Sequence, residues 1–96
     1  MSGLEFEWDS AKAESNFAKH GVSFEEALTV FMDPNASIHT DPDHSESERR
    51  EIIVGHSIQQ RLLFVSFTER GERIRLISAR PATKTERIDY EEENKD

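Results

Sequence analysis

The groups in this chain able to move protons or hold phosphate are four histidines (His20, His39, His44, His56), scattered carboxylates and a set of arginines. There is no Cys, which removes a thiol nucleophile, a disulfide scaffold and a Cys-ligated zinc site. His39-Thr40-Asp41-Pro42-Asp43-His44 contains metal-ligand residue types, but Pro42 breaks any helical i, i+4 framework. It reads as exposed polar loop, so no metal site is expected. No GxxxxGK(S/T), GxGxxG or GxSxG string occurs, so neither a nucleotide cofactor nor hydrolase-elbow chemistry is expected. The remaining repertoire meets the needs of metal-independent RNA cleavage. A base takes the ribose 2′-OH proton, cations stabilise the phosphorane and an acid protonates the leaving 5′ oxygen.

The candidates fall at the ends of expected elements. Lys19 and His20 close a helix, Glu48, Arg49 and Glu51 enter a strand, Thr68 and Arg70 leave one, and Arg80 ends another. His20 is the expected proton-transfer group, because its reference pKa of ~6.5 lies near operating pH. Arg49, Arg70 and Arg80 are expected to clamp phosphate with their planar forks, all surrounding one scissile phosphate. Each also has a structural reading. Lys19 and His20 complement a helix dipole, Arg49 pairs with Glu51, and Arg80 ties the last strand to a C-terminal helix.

The net charge of −8 is uneven. Residues 1–60 sum to −8, residues 61–90 to +3 and residues 91–96 to −3. Such a local cationic stretch can bind phosphate on an acidic protein, since charges beyond a Debye length of ~8 Å are screened. At 96 residues the chain is expected to be a single domain over 1–96, with a small core given its 34% hydrophobic content. Neither a membrane span nor a signal peptide is expected, which leaves the cytoplasm as the default location.

The elements that must position these groups read as follows. Leu4–Trp8 alternates with period two, a short strand. Asp9 caps a helix over Ser10–His20, with Gly21 as its C-terminal stop. Ser23-Phe24-Glu25-Glu26 reads as a capping box, and Phe24, Ala27, Leu28 and Phe31 share one helical face ahead of Asp33-Pro34. Residues 35–48 read as exposed loop with at most a short strand at 36–40. Arg50–His56, Leu62–Thr68 and Arg73–Ala79 are apolar runs joined by hairpin-length connectors, an antiparallel meander. Thr83-Lys84-Thr85-Glu86 opens a last helix to about Tyr90, followed by a frayed acidic tail over 91–96. The fold class expected is α+β: an antiparallel sheet carrying two N-terminal helices and one C-terminal helix on one face.

Two groups of strings carry a family resemblance. Trp8-Asp9, Lys12, Asn16, Lys19-His20-Gly21-Val22 and Phe24-Glu25, then Phe31 and Asp33-Pro34, form the first. Glu48-Arg49, Gly55, Thr68-Glu69-Arg70, Ile74-Arg75-Leu76-Ile77-Ser78-Ala79-Arg80-Pro81-Ala82, Glu86-Arg87 and Tyr90 form the second. Together they resemble the BrnT family of toxins over about residues 4 to 90. The resemblance implies a RelE-like fold and ribonuclease activity within a type II toxin–antitoxin pair. It implies a BrnA-like ribbon-helix-helix antitoxin as partner, RNA as substrate, and operator DNA reached only through the antitoxin. It implies Lys19, His20, Arg49, Arg70 and Arg80 as catalytic positions, with Thr68 and Tyr90 contacting substrate. Two other readings are a catalytically inactive toxin-like module acting as antitoxin partner and co-repressor, which the net acidity favours, and a small adaptor unrelated to nucleic acid.

Overall fold

A computed structural model describes residues 5–41 and 49–95. His44 and Glu48 lie outside the described residues. The order is β1 (Glu5–Glu7), α1 (Ser10–His20), α2 (Phe24–Leu28), a 3-10 turn (Thr29–Met32), β2 (Ser37–Thr40), β3 (Glu51–His56), β4 (Leu62–Arg70), β5 (Arg73–Pro81) and α3 (Lys84–Glu93).

Local chemistry sets the helix boundaries. The Asp9 carboxylate accepts hydrogen bonds from the backbone N–H groups of Ala11 (2.7 Å) and Lys12 (3.2 Å), and Gly21 ends α1 at φ 72°. Ser23 caps α2 through the Glu26 N–H. The capping box expected there is only half made, because the Glu26 carboxylate is drawn instead to Arg61 and Ser57. At α3 the box is complete: Thr83 and Glu86 each accept the other's backbone N–H. That helix runs to Glu93, three residues past Tyr90.

The five strands lie in the order β1-β5-β4-β3-β2. The meander β3-β4-β5 is antiparallel as expected, and β2 adds an antiparallel edge to β3. The sheet is nevertheless mixed, because β1 pairs parallel with β5, Glu5 opposite Arg73 and Glu7 opposite Arg75. Ion pairs of 3.3 Å from Arg73 to Glu5 and Glu7, and from Arg75 to Glu7, hold this register.

The helices do not share one face. Along β4, Leu63, Val65 and Phe67 belong to the main core with Val22, Phe24, Ala27 and Val30, whereas Leu62 belongs to a second cluster with Val54 and Tyr90, flanked by Phe64. Side chains alternate along a strand, so α1 and α2 cover one face and α3 part of the other. Leu62-Leu63-Phe64-Val65 is a continuous apolar run, the pattern of a strand buried on both sides. Accordingly Leu62 and Phe64 point away from α2.

Under α2 the core is aromatic. Trp8 meets Phe24 edge-on at 5.8 Å, and Phe31 stands between Phe6 (5.1 Å) and Phe67 (5.0 Å). A bulge in the β4–β5 pairing skips Ile77 between Ser78 and Leu76, so that Ala79 and Leu76 both reach the core. Phe31→Ala removes the middle ring of three. We expect a loss of roughly 3 kcal/mol, read as a lowered denaturant midpoint at unchanged m-value. A loss under about 1 kcal/mol would contradict this packing.

Candidate functional site

Among the described residues the five expected catalytic groups fall at three places. The first is the sheet end where β4 leaves and β3 enters. Glu51 pairs with Phe67, so the chain at Arg49 runs beside the end of β4, and the Thr68 hydroxyl donates to the Arg49 carbonyl at 2.7 Å. Arg70 faces Arg73 across the β4–β5 hairpin. Arg49, Thr68 and Arg70 are therefore brought together, with Arg49 and Arg70 exposed and Thr68 buried.

The second place is the outer edge of β5. Lys19 and His20 line a shallow depression with Lys12, Asn16, Ile77 and Ser78. Both close α1, where the helix dipole favours cations. The buried Asn16 amide accepts from the Ala79 N–H (3.0 Å) and donates to the carbonyls of Ala79 (2.8 Å) and Val22 (3.0 Å), clamping α1 to the strand.

The third place lies under α3. Arg80 makes two 2.9 Å hydrogen bonds to Glu86, and its guanidinium carbon sits 4.0 Å above the Phe64 ring. These contacts fulfil its structural reading, a tie from the last strand to the last helix. Arg80 is the register partner of Phe64, six residues before Arg70 on β4. At ~3.3 Å per residue the two ends are about 20 Å apart. The five expected catalytic groups thus do not surround a single phosphate.

Tyr90 is buried, with its hydroxyl donating to Asp33 Oδ2 at 2.9 Å. The same oxygen accepts the His56 backbone N–H at 2.7 Å, and His56 Nδ1 lies 3.3 Å from the Tyr90 hydroxyl. Burial pushes the Asp33 carboxyl up, but the N–H groups of His56 and Asn35 and the Tyr90 hydroxyl outweigh it and hold it below the ordinary 3.8. Burial, then the Asp33 hydrogen bond and charge, push the Tyr90 phenol to about 12, so it stays protonated at neutral pH. Asp33 and His56 escaped sequence reasoning. Asp33-Pro34 reads as a helix stop and His56 as a strand end, and no local spacing joins positions 33, 56 and 90.

An ion pair between buried Glu26 and half-exposed Arg61 braces the β3–β4 connection. Glu26 accepts from Arg61 Nε (3.0 Å) and from the Ser57 hydroxyl (2.6 Å), and the Arg61 hydrogen bond above all holds Glu26 below its ordinary 4.5. Between α3 and the sheet runs a groove of about 280 Å³, floored by Ile52, Val54 and Phe64 and walled by Glu86, Asp89 and Glu93. Its acidic wall repels phosphate. Among the described residues no three His, Asp or Glu side chains gather as a metal-binding set, and no helix is long and apolar enough to cross a membrane.

Residues 8–86 match the family described as the ribonuclease toxin BrnT of type II toxin–antitoxin systems. The chain belongs to the BrnT family. The matched span contains every expected site position except Tyr90. A crystal structure of the Brucella abortus ribonuclease toxin BrnT is similar in fold, with a TM-score of 0.66 and 22% identity over 85% of this chain and 100% of that one. A search of curated proteins finds no match. Membership of this family of type II toxin–antitoxin systems implies an antitoxin partner.

The Arg80–Glu86 tie gives a pH-dependent expectation. The Arg80 hydrogen bonds hold the folded Glu86 carboxyl below its ordinary 4.5. The coupling therefore contributes fully above pH 4.5 and is lost as pH falls through the lower folded value. Arg80→Ala should cost about 1–2 kcal/mol at pH 7. The gap between the thermal melts of the two proteins should narrow as pH falls below 4.5, leaving the share due to the Phe64 ring. An unchanged gap would exclude the ion pair as the cause.

Proposed function

We propose that this BrnT-family chain is a metal-independent endoribonuclease with a RelE-like fold, acting in the cytoplasm to cleave RNA and inhibit translation. A BrnA-like ribbon-helix-helix antitoxin neutralises it, and operator DNA is reached only through that antitoxin. The observation that carries the reading is the meeting of Arg49, Thr68 and Arg70 at one sheet end, in a chain of a ribonuclease-toxin family.

Guanidinium forks match pairs of phosphate oxygens, and such contacts position a nucleic acid without reading its bases. Arg49 and Arg70 accordingly hold backbone phosphate beside Thr68. Lys19 and His20 make a second cationic contact at the β5 edge. Arg80 and Tyr90 act through α3, whose placement they fix.

The net charge of −8 favours a second reading, an inactive module that binds antitoxin alone. One experiment separates the two. Purified protein is incubated with single-stranded RNA in excess chelator, and the products' ends are mapped. Cleavage leaving a 2′,3′-cyclic phosphate is expected. Loss of cleavage in chelator, restored by one divalent metal, would overturn metal independence and make His39, Asp41 and His44 candidate ligands. Intact RNA with antitoxin binding retained would establish the inactive module. In the active case Arg49→Ala should weaken RNA binding and lower the slope of log K against log salt by about 0.7. An unchanged slope would remove Arg49 from the phosphate contacts.

A further inference from the structure

We propose that His56 is the general base of the cleavage reaction, its imidazole fixed by Tyr90 and Asp33. The inference rests on the ribonuclease reading and adds the group that takes the proton; His56 stands at the opposite end of β3 from Arg49, about 20 Å along the strand, so Arg49 and Arg70 hold phosphates other than the scissile one. Three elements meet at this point: the segment after the 3-10 turn supplies Asp33, the end of β3 supplies His56, and α3 supplies Tyr90.

The tautomer follows from the donors. The Tyr90 hydrogen is committed to the ionised Asp33 oxygen at 2.9 Å. The phenol oxygen therefore presents lone pairs to His56 Nδ1, 3.3 Å away, and the carboxylate lies 3.8 Å from the same nitrogen. Both neighbours favour a hydrogen on Nδ1. Nε2 then carries the lone pair, on a side chain 44% exposed to solvent. The edge-on ring contact of His56 with Tyr90, centroids 5.2 Å apart, fixes the plane of the imidazole. A carboxylate that orients an imidazole and leaves one nitrogen ready to accept a proton is the arrangement general-base catalysis needs.

The surroundings suit a single-stranded RNA residue. Beside His56 lies a groove of about 220 Å³ lined by Thr29, Met32, Asp33, Ser57 and Ile58, and Met32 and Ile58 are 75% and 73% exposed. Those apolar side chains offer contact to the face of a base. Arg87 lies exposed on α3 one helical turn before Tyr90.

In the step proposed, His56 Nε2 takes the 2′-OH proton as O2′ bonds to phosphorus, and the P–O5′ bond breaks. The leaving O5′ takes a proton from water, and the hydroxide so formed recovers the proton from His56. The products are a 2′,3′-cyclic phosphate and a 5′-hydroxyl, with no net change in protons.

The test uses His56→Ala and His56→Gln in single-turnover cleavage of single-stranded RNA. Both keep the backbone N–H that binds Asp33, so melting temperatures should stay close to that of the unsubstituted chain. Rates should fall by roughly 10²- to 10⁴-fold with RNA affinity unchanged. Tyr90→Phe should give a smaller loss, and ¹⁵N spectra of its His56 ring should show the Nδ1–H preference of the unsubstituted chain replaced by a mixture of tautomers. If the unsubstituted protein cleaves RNA and folded His56→Ala and His56→Gln cleave it within threefold of the same rate, the inference is overturned and the ribonuclease reading stands. If the unsubstituted protein cleaves no RNA, the ribonuclease reading fails and takes this base with it.

Discussion

A strand that must be buried on both faces governs this molecule. Leu62-Leu63-Phe64-Val65 puts large apolar side chains on alternate sides of β4. One helical layer cannot cover both, so α1 and α2 close one side and α3 part of the other. Tyr90 is buried because it helps cover Leu62 and Val54. That constraint, more than any propensity of its own for helix, gives α3 its position. It explains why Arg80 commits its guanidinium to Glu86 and the Phe64 ring, since a helix attached by one small apolar cluster needs polar ties as well.

Two carboxylates elsewhere in the fold are satisfied in the same way by polar partners. Asp33 receives N–H groups from His56 and Asn35 and the Tyr90 hydroxyl, and Glu26 receives Arg61 and Ser57. An unpaired carboxylate in either place would be costly. Gly55 belongs to the same close packing. A Cβ there would come within 2.9 Å of Ala36 Cβ and 3.0 Å of Asp33 Oδ2. Its missing side chain lets the Asp33 carboxylate approach the β3 backbone and reach the His56 N–H.

What was legible in the sequence was local. Asp9 and Gly21 delimit α1, Thr83 and Glu86 open α3, and the three apolar runs give the meander, because each signal lies within a few residues of the structure it specifies. The parallel pairing of β1 with β5 joins residues 68 positions apart and has no local signature. The side of the sheet taken by α3 was present in the continuous apolar run of β4, but that run reads equally as one well-filled face. Of the expected site positions, Arg49 and Arg70 fall at the same end of the sheet, which follows from hairpin geometry. Convergence of all five cations does not follow from their lying at element ends, since a sheet has two ends and two faces. Asp33, His56 and Tyr90 meet only through tertiary packing.

The Asn16 clamp has a consequence for how the molecule meets others. β1 pairs with β5 only from Arg73 to Arg75, and further along, at Ala79, both backbone groups are engaged by a side-chain amide that imitates a neighbouring strand. Exposed strand edges are templates on which foreign strands add. Here the template is capped by one residue of a helix. A second chain seeking this edge finds its donor and acceptor at Ala79 already engaged, which protects a small acidic protein from unwanted sheet extension. It also steers any legitimate protein partner towards side-chain surfaces and away from strand addition at that position.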